Sequence, residues 1–325
     1  MSVEELDPYT YLQMVNRALL SGEGLSKEAI RLLTQGTLIM QTLLKEATPE
    51  ATPEATPEAT PEATPEANLL LSDYFKVVTK VGKPIDINIL LEGEESAEDF
   101  LRAFILHMKV QGKCHWMIDS ETLGLEPNNA IVQLALTPFS PIGMGLFTTS
   151  FRKHTGLSLV LKINLKVEGQ GRDIDEGTLK WWHDKNKANI HLLTEGKATI
   201  PDMIRLVNML LYKESHVWAN SPTFDIALLK SCYNQYKEVA GSWPVHFRNE
   251  WDVRTCSKMA GLSHKFLQPI YDQSNLYWGT SEGQSHDALI DCFTQVYQVQ
   301  EAYRRLEIGS KRVFKDESIE EKKND

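Results

Sequence analysis

The chain has 325 residues, 42% of them apolar and 24% charged, with a formal charge of −10. This is the composition of a globular chain. It contains no apolar run of about 18 residues that would cross a bilayer, and its acidic start, "MSVEELDPYT", lacks the basic and apolar regions of a signal peptide. Four scattered cysteines (Cys114, Cys232, Cys256 and Cys292) form no CxxC pair, which argues against a zinc site or a disulfide framework and points to a reducing cytoplasm. The acidity is concentrated at the N-terminus. Residues 1–67 carry a net −7, residues 68–112 a net −2, and residues 113–325 only −1. The charge therefore neither excludes a polyanionic partner nor argues for one.

In chain order, "DPYTYLQMVNRALL" and "SKEAIRLLTQGTLIMQTLLKEA" repeat apolar residues at helical spacing. They predict a helical segment over 1–46 that is too small to be stable alone. It is expected to dock on the main body, a second copy of the chain or another protein. Residues 47–66 are five copies of ATPE, and the linker is taken as 47–67. Proline at every fourth position blocks helix and sheet, so this stretch is expected to be extended, spanning up to roughly 60 Å. It is either a spacer between modules or a neutral repeat expansion.

Residues 68–112 predict a small α+β appendage. "PIDINILLEG" alternates like a strand, and "SAEDFLRAFILHMKV" is an amphipathic helix capped by Ser96. From about residue 113 three strands follow, "KCHWMID", "NAIVQLALTPF" and "LSLVLKINL", as an antiparallel meander. Helices come next: "DEGTLKWWHDKNKANIHLL", "IPDMIRLVNMLLYKES", "PTFDIALLKSCYNQY" and "HDALIDCFTQVYQVQEAYRRL". The short apolar strand "HVWAN" returns among them. Strands first, then helices with one strand returning, predict an α/β fold, a mixed sheet with helices on its faces. A charged disordered tail is expected over 311–325.

The chemistry-bearing residues are acids. "WMIDSETLG" puts Asp119 and Glu121 at the end of a buried strand, two residues apart and so on one face. Two carboxylates so placed repel each other unless a positive charge sits between them. Asp225 of "WANSPTFDIALLK" opens an apolar helix, where it serves either as a partner for the helix dipole or as a ligand; Asn220 caps or ties the turn before it. "SHDALIDCF" supplies His286 and Asp291, five residues and about 500° apart on a helix. They face one spot if His286 lies just ahead of the helix, in the loop after "GTSEGQ" (279–284). Asp287 reads as a first-turn acid rather than a ligand. Four carboxylates from three elements suit a pair of hard divalent cations about 4 Å apart, Mg²⁺ or Mn²⁺, as phosphodiester cleavage uses.

The ordered set "DSETLG", "NSPTFD" and "HDALID" resembles the DEDDh family of 3′→5′ exonucleases, with H-x-x-x-x-D marking the His subclass. "TLKWWHDKN", "WANSPTFDIALL" and "DVRTCSKMAGL" are similar to its phage and prophage DexA-type exodeoxyribonucleases and to the related RNase AS-like exoribonucleases. The resemblance covers residues 113–308 and implies a ribonuclease H-like five-stranded mixed sheet over 113–310. It implies that Asp119, Glu121, Asp225 and Asp291 hold two Mg²⁺ or Mn²⁺ ions. His286 takes a proton from the attacking water, and the "GTSEGQ" loop is expected to carry it into place. Nucleoside 5′-monophosphates then leave the 3′ end of single-stranded nucleic acid, DNA favoured over RNA.

Substrate contacts are expected at five further positions. Leu123 stands where other members place a threonine near the 3′-OH. Leu125 is either a wedge against the terminal base or core. Of Trp181 and Trp182, which point about 100° apart on a helix, Trp182 is favoured for stacking on a base. Asn220 is expected at the substrate, and Arg254 contacts a phosphate or forms a structural ion pair. The alternatives are an exoribonuclease with the same site and a nucleic-acid-binding recruitment protein whose site is silent. The resemblance also implies a phage or prophage protein in the cytoplasm of a bacterial host.

Overall fold

Residues 70–91, 95–111, 115–143, 145–147, 155–168, 171–262 and 286–320 are described by the structure, a computed structural model. The N-terminal segment, the ATPE linker and the "GTSEGQ" loop lie outside the described residues. Strand β1 (Phe75–Val78) is followed by helix α1 (Ala97–Gln111) and then by β2 (His115–Thr122), β3 (Ile131–Phe139) and β4 (Gly156–Lys162). Helices α2 (Glu176–Asp184) and α3 (Ile200–Leu210) precede β5 (His216–Ala219). Helix α4 (Asp225–Gln235), β6 (Glu250–Asp252), α5 (Val253–Met259) and α6 (Ala288–Glu320) complete the chain. No described helix is long and apolar enough to cross a membrane.

The strand order is β1-β4-β3-β2-β5-β6. Strands β1 to β4 pair antiparallel, while β5 joins β2 in parallel and β6 joins β5 in parallel. The mixed α/β sheet is therefore present, with five strands, β2 to β6, over 113–310 and a sixth, β1, ahead of them. Strands β1 and β6 carry no clear pattern, since "FKVV" and "EWD" are too short for an alternation to stand out. Because β1 pairs with β4, residues 70–112 belong to the same compact unit as the chain that follows and do not form an appendage to it.

Three further expectations are corrected. "PIDINILLEG" forms no strand; Ile87–Ile89 is a 3₁₀ turn, closed by the Asp86 carboxylate accepting from the Asn88 N–H at 2.9 Å. The helix expected across "DEGTLKWWHDKNKANIHLL" stops at Asp184 because the N–H groups of Lys185 and Asn186 both fold back to the Trp181 carbonyl. The tail expected to be disordered from residue 311 is helical as far as Glu320.

Period-two alternation in β2 puts Met117, Asp119 and Glu121 on one face. Met117 packs with Ala135, Phe139, Cys292, Phe293 and Val296, so this face is the one covered by α6. Gln133, buried on β3, clamps the helix start. Its Oε1 accepts from the Ala288 N–H at 2.9 Å, and its Nε2 donates to Asp287 at 3.2 Å. Asp287 caps α6, accepting from the N–H groups of Leu289 and Ile290. Such a cap stabilises a helix by about 1 kcal/mol.

At the opposite end of β2 the rings of His115 and His216, register partners, stack at 4.6 Å. Each accepts at Nδ1 from an indole N–H, of Trp218 at 2.8 Å and of Trp251 at 3.0 Å. Burial, then the neighbouring His216, lowers His115 to about 4. The unfolded chain takes up this proton near pH 6.5 and the folded chain does not, so stability falls as the pH drops from about 6.5 towards 4. His115→Gln removes the titrating group. We expect wild-type stability to fall more steeply than the variant's across this window, by at most about 1.4 kcal/mol per pH unit. Parallel curves in urea titrations at stepped pH would refute the assignment.

Candidate active site: four acids and a histidine in one cavity

Asp119, Glu121, Asp225, His286 and Asp291 line a single cavity of about 720 Å³. The residue between the first two acids carries the third. Ser120 donates to Asp225 Oδ1 from both its backbone N–H (3.1 Å) and its hydroxyl (2.5 Å). Asp225 and Asp291 lie in the first turns of α4 and α6, where the helix dipole favours negative charge. Asp119 accepts from Gln295 Nε2 at 2.7 Å. The donor atoms of Glu121, His286 and Asp291 all lie within 4.8 Å of one another.

These carboxylates are crowded and largely cut off from water; Glu121, Asp225 and Asp291 are 8%, 4% and 8% exposed. Burial, then the charges of Asp291, Asp225 and Glu121, pushes Asp119 well above the usual carboxylate range. Burial, then Asp291, Asp287 and Asp225, does the same to Glu121. Asp225 is raised by burial to about 7, against the pull of its two Ser120 bonds. His286 is lowered by the protein packed against its ring.

An oxygen-rich donor set with one imidazole and no thiolate fits a hard divalent cation. Gln295 also lines the cavity, and its buried Oε1 accepts no hydrogen bond among the described residues. A second cavity, of about 710 Å³, has no such donor set. Its Arg172 is tied to Asn129, Gln235 and Pro127.

Residues 114–303 match the family model described as the 3′-5′ exoribonuclease Rv2179c-like domain. The chain belongs to this family of 3′-5′ exonucleases. An exodeoxyribonuclease of Enterobacteria phage T4 is 24% identical over 209 residues, which cover 58% of this chain and 88% of that protein. Among solved structures, the zinc-bound E. coli exonuclease I–ssDNA complex matches at 11% identity and a TM-score of 0.38. That match covers 59% of this chain and 41% of the exonuclease I chain. S. pombe Pop2p, in its Mg²⁺- and Mn²⁺-bound form, matches at 13% identity and a TM-score of 0.42, over 62% of this chain and 88% of that one.

Around the acids of this Rv2179c-like domain, Leu125, Asn220 and Arg254 line the cavity. Leu125 is 79% exposed, so it is not core. A tight loop holds it. Thr122 Oγ1 donates to the Gly124 carbonyl at 2.5 Å, and a Cβ on Gly124 would lie 2.3 Å from the Asn129 side chain. Arg254 is exposed and makes no ion pair with another described residue, and its charge lowers Asp225.

Two substrate expectations are corrected. Leu123 does not line the cavity; it is 2% exposed and packs with Ala130, Val132, Trp182 and Leu192. Trp182 lies in the cavity wall but is only 1% exposed, its indole N–H donating to the Thr122 carbonyl at 3.0 Å, so little of its ring is open to a base. The tryptophan with open surface is Trp181, whose ring meets His286 edge-on at 4.8 Å. The pairing of Leu179 with Trp182 at i, i+3 was the available signal, since both pack into the same cluster. Ser120, Gln133 and Gln295 were missed, because uncharged polar residues in apolar runs carry no pattern.

Neutralising one acid relieves the repulsion. At pH 8 in chelator, we expect Glu121→Gln to be more stable than wild type by about 1–3 kcal/mol. That corresponds to roughly 2–4 °C in Tm per kcal/mol for a domain of this size. Addition of Mn²⁺ should stabilise the wild type more than the variant, because the ligand set binds the ion. A variant that melts lower in chelator would contradict the electrostatic account.

Proposed function

We propose that this chain is a metal-dependent exonuclease that removes nucleoside 5′-monophosphates one at a time from the 3′ end of single-stranded DNA. The observation carrying this reading is the gathering of five side chains from β2, α4 and the start of α6 into one cavity. Asp119, Glu121, Asp225 and Asp291 are assigned to two Mg²⁺ or Mn²⁺ ions, which when bound supply Lewis-acid activation and neutralise the acids' charge. His286 is the general base, accepting a proton from the attacking water on a ring nitrogen. Burial lowers its pKa, which favours the neutral ring that accepts a proton. Ser120 fixes Asp225, and Gln295 fixes Asp119. Leu125 and Trp181 offer apolar surface to a terminal base, and Arg254 an exposed cation to a phosphate.

The DNA preference is supported by the phage T4 exodeoxyribonuclease. RNA is the second reading, favoured by the exoribonuclease description of the family. Residues 1–46 are assigned to binding a second copy or another protein, on the strength of two amphipathic stretches too short to fold alone.

The test is parallel digestion of 5′-labelled DNA and RNA strands of one sequence with Mg²⁺, Mn²⁺ or chelator. We expect a ladder shortening from the 3′ end, faster on DNA and abolished by chelator. Asp225→Asn should lose at least about a thousandfold in turnover. His286→Ala should lose about a hundredfold or more. Cleavage that persists in chelator, or full turnover in Asp225→Asn, would be incompatible with this mechanism.

A further inference from the structure

Among the described residues, His286 is the one non-glycine with a positive φ, +74°. A residue with a Cβ adopts that conformation at a cost of about 1–2 kcal/mol, so the surroundings must hold it there. Side chains hold both of its backbone polar groups. Its N–H donates to Asp291 Oδ2 at 2.8 Å, and its carbonyl accepts from Asn189 Nδ2 at 2.8 Å.

Asn189 lies 97 residues earlier in the chain, in the 3₁₀ turn Lys187–Asn189 that follows α2. It is 3% exposed, so its amide must find partners within the protein. The same Nδ2 reaches Asn186 Oδ1 at 3.1 Å, and the Asn189 N–H bonds to the Asn186 carbonyl at 3.0 Å. The N–H of Asn186 returns to the carbonyl of Trp181 at 3.2 Å, and the Trp181 ring meets the His286 ring edge-on at 4.8 Å. Trp181, Asn186, Asn189 and His286 thus form a closed circuit, in which α2 fixes both the backbone and the ring of the histidine. Ending the helix needs only the backbone bonds of Lys185 and Asn186; it does not require an amide reaching across to His286.

We propose that Asn189 is a positioning residue. Its amide holds the His286 peptide in the left-handed conformation and so presets the imidazole beside Glu121 and Asp291. This rests on the assignment of His286 as the general base. When the Asn189 bond is lost, φ of His286 relaxes and the ring leaves its place. Asp291 and the other carboxylates stay where β2, α4 and α6 hold them. Turnover should therefore fall while cation binding does not.

The experiment compares Asn189→Ala, Asn189→Asp, His286→Ala and the double variant Asn189→Ala/His286→Ala. The substrate is a 5′-labelled single-stranded DNA oligonucleotide with Mg²⁺; Mn²⁺ affinity is read by electron paramagnetic resonance, and folding by thermal melts. We expect Asn189→Ala to lower kcat about 10–100-fold, with KM and the Mn²⁺ Kd within about twofold. Asn189→Asp, of the same shape but without a donor when ionised, should lose as much. In the His286→Ala background, Asn189→Ala should cost nothing further, since it acts only through the histidine. Asn189→Leu, of similar size and without a donor, replaces the alanine variant if that one does not fold, with the same expected loss. Unchanged kcat in Asn189→Ala, or an equal loss of kcat with and without His286, overturns the positioning role and leaves the base assignment standing. Full turnover in His286→Ala overturns the base assignment itself, and the positioning role with it.

Discussion

Mutual repulsion of four carboxylates in one cavity is the constraint around which the rest of this domain is arranged. In isolation, such a group buried among like charges would be neutralised or expelled. Here three devices offset the cost without removing it. Ser120 spends its hydroxyl and its backbone N–H on Asp225, Gln295 donates to Asp119, and two of the acids sit at helix N-termini. The pKa values of Asp119, Glu121 and Asp225 remain raised even so, first by burial and, for Asp119 and Glu121, then by the neighbouring carboxylates. A fold selected for stability alone would not retain this arrangement; one that binds divalent cations requires it.

The sheet supplies the precision. Parallel pairing of β2 with β5 brings the start of α4 beside the end of β2, so a carboxylate 105 residues away meets the Ser120 amide. Helix α6 lies over the same face and is fixed at its first turn by Gln133, from the neighbouring strand. The acids on β2 and those on the two helices are thereby held by separate bonds to one rigid element. Their spacing then depends on the packing of Met117, Cys292, Phe293 and Val296 rather than on loop conformation.

Much of this was legible in the chain. The Asp-x-Glu spacing fixes a common face by strand geometry alone. The β-branched and leucine-rich runs mark the meander, and the order of the three acidic motifs carries the family likeness. What could not be read has physical causes. Strands β1 and β6 are too short to show alternation, and they exist because neighbouring strands offer unpaired edges. Ile87 and Ile89 alternate as a strand would, yet the Asp86 side chain closes a local turn first. Adjacent tryptophans must diverge on a helix, but only the neighbouring Leu179 indicates that Trp182 is the one turned inward. Leu123 occupies a motif position and nonetheless packs with Trp182 in the core, because the strand irregularity between Glu121 and Thr122 ends the regular alternation there.

The least readable feature is the backbone of His286. Nothing in "SHDALIDCF" announces a left-handed residue, since histidine has an ordinary Cβ and no glycine marks the place. The conformation is held from both sides, by the Asn189 amide at the His286 carbonyl and by Asp291 at its N–H. One of the Asp291 oxygens takes the His286 N–H at 2.8 Å, while its carboxylate lines the cavity beside Glu121. An acid of the cavity is therefore also a tether of the histidine. The five-residue gap between His286 and Asp291, awkward on a continuous helix, follows from this geometry. The histidine has to stand outside the helix, turned back over its first turn, for its N–H to reach the carboxylate that its ring adjoins.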